Sequence, residues 1–314
     1  MDNLKKYLCF DIYLLYLMYR KNSNSFKNSM KKIVLKNCDV KEVSNLLKKS
    51  SSLDNFIFIN VQGSKFESTA YNKNKSALKS ITADLNQYCE SFENEFDDEL
   101  VKIQFTNAGK LISVLGLVGT EGVDVTFYIE DNGYAKKVVV ANSEVNLTVP
   151  AADKEALAFL EIPDHARHTI FEDDSTLEYK VGISENEFKY LSQLFGLNKE
   201  SCRVFFSISG STVLVSEIES TDENVRETVN GLLDDGKILE FDAFDKLYTK
   251  RLTYDNIENK GDEPYLRCFN KSYFVWIDSD EHYDIEFHSN KIKFISVDEK
   301  GTKTYVVLTP VRFA

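Results

Sequence analysis

Apolar side chains recur at helical spacing in one segment of the first half of the chain. Leu111, Leu115 and Val118 fall on one side of a helix, and Lys110 falls on the opposite side. The glycines between positions 119 and 122 then end the periodic pattern. The segment therefore predicts a short amphipathic helix that presents a lysine to water.

Three β-rich runs follow this helix. The pattern predicts strands over Val123 to Ile129, Lys136 to Ala141 and Val145 to Val149. Asp131-Asn132-Gly133 separates the first two runs, and Asn-Gly is typical of a tight hairpin. Pro150-Ala151-Ala152-Asp153 closes the segment, in which no side chains are arranged for catalysis.

This succession of elements resembles the end of the first domain of the DNA polymerase sliding clamp of T-even-type bacteriophages. The helix, the acidic strand, the Asp-Asn-Gly hairpin and the Pro-Ala-Ala-Asp tetrapeptide occur there in the same order. The resemblance extends over roughly Met30 to Arg312 and includes proliferating cell nuclear antigen (PCNA). It implies an α+β fold of two duplicated clamp domains, each with two helices packed on antiparallel sheets.

The segment before this helix has the same kind of pattern. A strand is predicted over Lys31 to Lys36, and Asp39 with Glu42 forms a capping box for a helix whose apolar face includes Val43 and Leu46. Further strands are predicted over residues 56–61, 66–71, 78–88 and 100–105, with an acidic loop at 90–99.

The same order of elements returns in the second half of the chain. Ser184 and Glu187 form another capping box, and Gly210-Ser211 between two strands matches the earlier Gly63-Ser64. A second helix is predicted over residues 269–277, before closing strands at 283–287, 291–297 and 304–309. This repetition predicts an internal duplication.

The repeat divides the chain into four parts. These are an N-terminal extension (1–29), a first clamp domain (30–150), a connector (151–176) and a second clamp domain (177–314). An acidic insertion without a counterpart is predicted at about 220–263, with strands over Lys237 to Asp242 and Thr249 to Tyr254.

The extension has two readings. Lys5 and Lys6 precede a largely apolar run, as in a signal peptide, but Asp11 interrupts that run and no small-residue cleavage site follows. We favour an amphipathic or disordered extension, or a misassigned start with Met30 as the true first residue.

Composition predicts a folded protein in a reducing compartment. The 314 residues are 43 % hydrophobic, which excludes wholesale disorder, and the five cysteines show no metal-ligand spacing. The formal charge of −12 argues against phosphate binding unless the basic residues are segregated. Lysines on the solvent-facing sides of the predicted helices provide that segregation.

In the clamp family, helices line a ring around duplex DNA and hold it loosely. The resemblance therefore implies that the helix lysines face DNA, although lysine on any wet face also serves simply as a solvated residue. The candidate DNA-binding residues are Lys41, Lys48, Lys49, Lys110, Lys189, Lys199 and Lys271.

The family also binds partner peptides in a pocket beneath the connector, beside the C-terminal segment. The alternative for the apolar residues there is plain core packing. The candidate pocket residues are Leu157, Phe159, Leu160, Ile162, Val307, Leu308, Pro310 and Val311, with Phe313 plugging or flanking the pocket.

Motifs for enzymatic chemistry are weak. The run Asp164-His165-Ala166-Arg167-His168 is interpreted as a solvated loop, because HxxH lacks helical i, i+4 ligand spacing. The sequence has no phosphate-binding loop, dinucleotide motif or nucleophile elbow. We therefore expect no catalytic residues, no metal and no cofactor.

The sequence and the resemblance together predict a phage-type processivity factor. Its expected partners are duplex DNA, a DNA polymerase, a clamp loader and two further copies in a homotrimer, with no membrane, in the cytoplasm of an infected bacterium. The alternatives are an acidic β-rich virion or surface protein, a monomeric clamp-fold DNA-binding factor and a DNA-mimicking inhibitor.

Overall fold

The computed structural model describes residues 30–51, 55–72, 75–197, 203–254, 257–259 and 263–313. The predicted N-terminal extension therefore lies outside the described residues. Within these ranges the chain is an α+β fold built from two similar domains and a connector. No helix in the described ranges is long and apolar enough to cross a membrane.

The first domain alternates one helix with several strands, twice. Its elements are β1 (Lys31–Cys38), α1 (Val40–Ser50), β2 (Ile57–Gln62), β3 (Lys65–Tyr71), β4 (Ala77–Asp84), the 3-10 helix Leu85–Tyr88, β5 (Cys89–Asn94), β6 (Val101–Phe105), α2 (Ala108–Val118), β7 (Asp124–Ile129), β8 (Ala135–Ala141) and β9 (Asn146–Pro150).

The connector contains the 3-10 helix Ala158–Leu160 and the helix α3 (Asp164–Phe171), and the second domain follows it. The elements of the second domain are β10 (Leu177–Ile183), α4 (Glu185–Leu197), β11 (Arg203–Ser209), β12 (Thr212–Glu217), α5 (Glu223–Asp235), α6 (Ile238–Phe241), β13 (Tyr248–Arg251), β14 (Ile257–Asn259), β15 (Tyr265–Asn270), the 3-10 helix Lys271–Trp276, β16 (Tyr283–His288), β17 (Ile292–Val297) and β18 (Lys303–Leu308).

Strand pairing confirms the predicted duplication. β1 lies between β5 and β7, as β10 lies between β14 and β16, and β2 lies between β3 and β6, as β11 lies between β12 and β15. The ribbons β7-β8-β9 and β16-β17-β18 also correspond. Gly63 and Gly210 take the left-handed conformation, with φ of 59° and 57°, in the equivalent turns of the two domains.

One sheet continues across both domains. β18 of the second domain pairs antiparallel with β4 of the first, from Lys303 opposite Thr82 to Leu308 opposite Ala77. This pairing joins the strands in the order β14-β10-β16-β17-β18-β4-β3-β2-β6. In the other two sheets, β9 of the first domain and β13 of the second are edge strands, each paired with a neighbour on one side.

Each domain buries its own core between helices and sheets. In the first domain, α1 and α2 pack against each other over a cluster that includes Leu46, Leu111 and Val125. In the second, α4 packs near the 3-10 helix Lys271–Trp276, over aromatic residues such as Phe188 and Phe294. Burial of these side chains is the main stabilising contribution to each domain.

Three predictions for short segments are wrong. The strand predicted over residues 78–88 ends at Asp84. The acidic loop predicted at 90–99 begins inside β5, none of whose residues is buried. The helix predicted over residues 269–277 is instead the end of β15 followed by a 3-10 helix. Strand β5 lies at a sheet edge and buries little surface, so its sequence lacks the alternation of apolar and polar residues by which a strand is predicted.

The insertion is helical and shorter than predicted. The strand predicted over Lys237 to Asp242 is wrong, because α5 ends at Gly236 in the left-handed conformation and α6 follows. β13 and β14, within the predicted insertion, pair as β4 and β5 do in the first domain. Among the described residues of the predicted insertion, the segment that carries α5 and α6 is therefore the part without a counterpart.

Candidate functional site

Helix α1 presents two lysines to solvent. The Asp39 side chain accepts a hydrogen bond from the Glu42 backbone N–H at 3.1 Å, which caps the first turn as predicted. The apolar face of the helix is buried, whereas Lys41 and Lys48 are exposed. Their ammonium groups are therefore accessible to an anionic ligand.

Lys49 at the end of α1 has protein partners. Its ammonium forms an ion pair with Glu281 of the second domain and lies 3.9 Å from an Asp298 oxygen. Burial lowers the pKa of Lys49, but these two carboxylates outweigh burial and the pKa is raised. Lys49 thus contributes an ion pair between the domains.

Lys110 and Lys189 lie on the other two α-helices that the sequence predicted. The Asn107 side chain caps α2 by accepting from the Lys110 N–H at 2.9 Å, and the Lys110 side chain is exposed. Lys189 on α4 is exposed and pairs with the exposed Asp280 at 3.2 Å. Lys199 lies outside the described residues.

Lys271 is placed differently from its prediction. Its Nζ donates to Glu217 Oε1 at 2.8 Å, and the two side chains are 10 % and 0 % exposed. An ammonium that neutralises a buried carboxylate is committed to the protein interior. This contact does not agree with the predicted role of Lys271 in facing DNA.

A cavity of about 350 Å³ lies between the connector and the sheet shared by the two domains. The sheet contributes Tyr71, Leu78 and Val307, and the connector contributes Ile162 and Ile170. Pro163 and Ala166 of the connector also line it. The polar lining residues are Lys75, Glu161, Thr169, Asn290, Lys291 and Thr309. A lining that combines apolar side chains with polar groups suits a peptide side chain and its backbone.

Two of the predicted pocket residues, Ile162 and Val307, line this cavity. Leu157 packs in the same cluster but is fully buried beneath it, and Phe159 is 55 % exposed, with its ring against Phe56. Leu308 points into the core of the second domain, because neighbouring residues of a strand face opposite sides.

The remaining predicted pocket residues lie elsewhere. Pro310 is partly exposed beyond β18, and Val311 and Phe313 pack beneath the helices α5 and α6. The structure therefore contradicts the prediction that Phe313 plugs or flanks the connector pocket. The side chain of Leu160 is outside the described part of the chain.

Two lysines that hold the connector were not predicted from the sequence. Lys291 donates to the backbone oxygens of Thr169, Ile170 and Asp173 at 2.9, 3.1 and 3.2 Å, at the C-terminal end of α3. Lys293 binds Asp174 at 2.6 Å. These contacts fix one wall of the pocket to β17 and its preceding turn.

Glu286 completes this polar network. It lies 2.6 Å from the Lys293 ammonium and 3.6 Å from the His288 ring, and all three side chains are buried. Burial alone raises the pKa of Glu286, but hydrogen bonds from His288 and Lys293 hold it at about 2. The carboxylate therefore stays charged in the folded protein down to low pH.

We expect this carboxylate to stabilise the fold above its unfolded pKa, near 4.5, and to lose that contribution as the pH falls toward 2. Between pH 5 and pH 3 the loss is about 2 kcal/mol. Urea denaturation at pH 5 and at pH 3 measures the free energy of unfolding of the parent chain and of Glu286→Gln. The difference between the two proteins should be smaller at pH 3 by that amount. Parallel pH curves for the two proteins would contradict it.

Asp174, Glu286 and His288 also form a cluster whose ligand atoms lie within 4.8 Å of one another. The Lys293 ammonium lies 2.6 Å from both carboxylates and balances their charge. The positive charge of this ammonium would repel a metal cation bound between the same carboxylates. The donor set thus fits an internal ion-pair network better than a metal centre.

The segment around the HxxH sequence is the helix α3, not the predicted loop. His168 pairs with Glu172 one turn later at 2.8 Å, which supports the helix, and both side chains are exposed. Arg167 forms an ion pair with Glu67 of β3 and donates to the Ser80 hydroxyl at 3.2 Å. These contacts attach the connector to the first domain.

No protein-family model matches the sequence, and no curated protein matches it. Several solved structures, however, are similar to this chain. PCNA from A. fulgidus, bound to the C-terminal region of FEN-1, superposes with a TM-score of 0.62 at 12 % identity, over 91 % of this chain and 100 % of that chain.

Two further clamps match at the same identity. PCNA from Thermococcus kodakaraensis has a TM-score of 0.60, over 89 % of this chain and 100 % of that chain. The PCNA2–PCNA3 complex from Sulfolobus tokodaii superposes with a TM-score of 0.57 at 12 % identity, over 88 % of this chain and 98 % of that chain. Together with the duplicated strand pairing, these superpositions show that the chain has the fold of a PCNA-type sliding clamp.

Proposed function

We propose that this chain is a subunit of a sliding clamp, a ring that encircles duplex DNA and tethers a replicative DNA polymerase. The observation that carries the proposal is the pairing of β18 with β4, which joins the last strand of one domain to the fourth strand of the other. The equivalents of these strands, β9 and β13, lie unpaired at sheet edges among the described strands.

The same pairing between molecules would generate a ring. If β9 of one protomer pairs with β13 of the next, each junction between protomers repeats the junction within a protomer. Such a head-to-tail contact closes whenever the accumulated rotation reaches a full turn. We propose a homotrimer of six domains, and the solved PCNA2–PCNA3 complex supports contacts between subunits of this fold.

Loose electrostatic attraction suits a ring that is held on DNA by topology. The exposed lysines of the helices, Lys41, Lys48, Lys110 and Lys189, are the proposed DNA-facing residues. Few phosphate contacts are needed, which is compatible with a formal charge of −12. Lys49 and Lys271 pair with buried or mostly buried carboxylates of the protein, so they are not among the proposed DNA-facing residues.

The connector cavity is the proposed docking site for the polymerase and a clamp loader. An apolar peptide side chain would enter between Ile162 and Val307, with polar rim groups available to the peptide backbone. The PCNA solved with the C-terminal region of FEN-1 shows that a clamp of this fold binds a protein segment. A T-even-type phage origin, and hence the cytoplasm of an infected bacterium, is part of the proposal and rests on the sequence resemblance.

Threading onto linear DNA tests encirclement without a loader. The chain is mixed with a duplex biotinylated at both ends, streptavidin is added, and DNA-bound protein is separated by gel filtration. We expect retention when both ends are blocked and loss when they are open. Equal retention on both substrates, or a monomer by sedimentation at micromolar concentration, would instead indicate a monomeric DNA-binding factor.

Charge reversal tests the placement of the helices. We expect Lys48→Glu with Lys110→Glu to reduce the trapped fraction by about tenfold at 0.1 M salt, since two attractive charges become repulsive. Lys136→Glu with Lys303→Glu is the matched control, because both lysines are exposed on strands. Equal losses in the two double variants would show that the helices do not face DNA.

A further inference from the structure

The segment after β18 lies in a groove on the second domain. The Val311 N–H donates to the Cys268 backbone oxygen at 2.8 Å, which extends the chain alongside β15. Phe313 is 3 % exposed, and its ring meets Phe205 edge-on at 5.7 Å. Helices α5 and α6 cover the ring from the other side, through Val229, Leu232, Ile238 and Phe241.

One side chain of α5 recognises the backbone of this segment. Asn230 Nδ2 donates to the Phe313 carbonyl at 2.9 Å, and Asn230 Oδ1 accepts from the Phe313 N–H at 2.8 Å. An amide that satisfies both backbone groups of one residue acts as a neighbouring strand does. This recognition is independent of the side chain, so the aromatic socket supplies the selectivity.

A weaker contact flanks the aromatic residue. Arg312 donates to both carboxylate oxygens of Asp234 at 3.2 and 2.9 Å. Both side chains are exposed, and an exposed ion pair adds little affinity. It favours a basic residue before the aromatic one.

This groove is the counterpart of the connector pocket. Phe205 on β11 corresponds to Phe58 on β2, and each faces away from the core of its domain. In the first domain the connector covers that face and leaves the open cavity. In the second domain α5, α6 and residues 311–313 cover it.

We infer that the groove between α5 and the strands β11 and β15 is a second peptide-docking site, for an extended partner segment with an aromatic residue after a basic one. Residues 311–313 occupy it as a tethered competitor. The backbone contacts of Asn230 and the filled socket show the chemistry that an external peptide would reproduce. The site belongs to one protomer, so it stands whether or not the chain forms a ring.

Binding of a peptide in trans tests the inference. The chain ending at Thr309 is titrated, without DNA, into a fluorescein-labelled synthetic peptide of sequence TPVRFA, and anisotropy is read. We expect this chain to bind the peptide at least tenfold more tightly than the whole chain does, because the competitor is gone. We also expect at least a tenfold loss when the peptide phenylalanine becomes alanine.

Site variants decide whether binding occurs in this groove. In the shortened chain, Asn230→Ala should weaken binding at least tenfold, whereas Glu227→Gln, on the exposed side of α5, should leave it unchanged. If the shortened chain lacks a cooperative thermal transition, the full chain carrying Phe313→Ala replaces it in the same titration. The inference is overturned if a folded variant does not bind the TPVRFA peptide, or if it binds the peptide with alanine in place of phenylalanine equally tightly.

Discussion

Replacing Lys271 with glutamate is expected to lower the free energy of unfolding by about 3–5 kcal/mol. The Lys271 ammonium is the partner of Glu217, whose side chain is fully buried. The substitution would leave two carboxylates in contact without compensation in a low-dielectric site. Urea denaturation followed by circular dichroism measures the loss, and the variant should be unfolded or nearly so at 37 °C.

Two matched variants separate charge from packing. Lys271→Met retains the length of the side chain but leaves the buried Glu217 without its cationic partner, so the variant should also be strongly destabilised. Lys271→Met combined with Glu217→Gln removes both charges and should recover most of the stability, since the burial cost of the ions disappears. If Lys271→Glu alone had the parent stability but lost DNA retention, Lys271 would face DNA after all.

If the chain forms the proposed ring, replacing Arg251 with proline is expected to dissociate it. The Leu252 N–H donates to the Val213 oxygen of β12 at 3.0 Å, so the alternation of an antiparallel strand directs the Arg251 N–H outward. Proline removes that donor and places its ring where an incoming β9 would pair. Losing one such bond costs about 1–3 kcal/mol, which weakens each interface by a factor of about 5 to 150.

Sedimentation velocity across a concentration series measures this effect, and Arg251→Ala is the control. Alanine retains the backbone N–H, so the alanine variant should assemble as the parent chain does. The proline variant should sediment as a monomer that still unfolds in one cooperative thermal transition, at a lower temperature because subunit contacts are lost. A proline variant that still forms trimers would show that β13 is not at the interface, and the ring would need a different contact.

Local patterns predicted most of the helices and strands. The Asp39 cap with the buried positions Val43 and Leu46 located α1 to within a residue, and the Gly63 and Gly210 turns revealed the duplication. The prediction failed in a segment too short to show a clear period: Leu239 and Phe241 alternate as in a strand, whereas Ile238 and Phe241 are spaced as on one helical turn. The structure buries the second pair and exposes Leu239.

The candidate sites were less predictable, because their contacts join distant parts of the chain. Glu217 lies 54 residues before Lys271, and no spacing rule connects them. Lys291 and Lys293 act on the connector through backbone oxygens, which carry no sequence signature. Among the apolar residues near the end, Val307 lines the pocket and Leu308 does not, since one step along a strand changes the face.

The sheet that crosses the domain boundary has a consequence for biosynthesis. β4 pairs with β18, and the paired residues Thr82 and Lys303 are about 220 positions apart. A ribosome that has completed the first half of the chain therefore releases β4 with one side unpaired until β18 emerges. During that interval the exposed backbone invites misassociation, so slow maturation and dependence on chaperones are the expected cost of this topology.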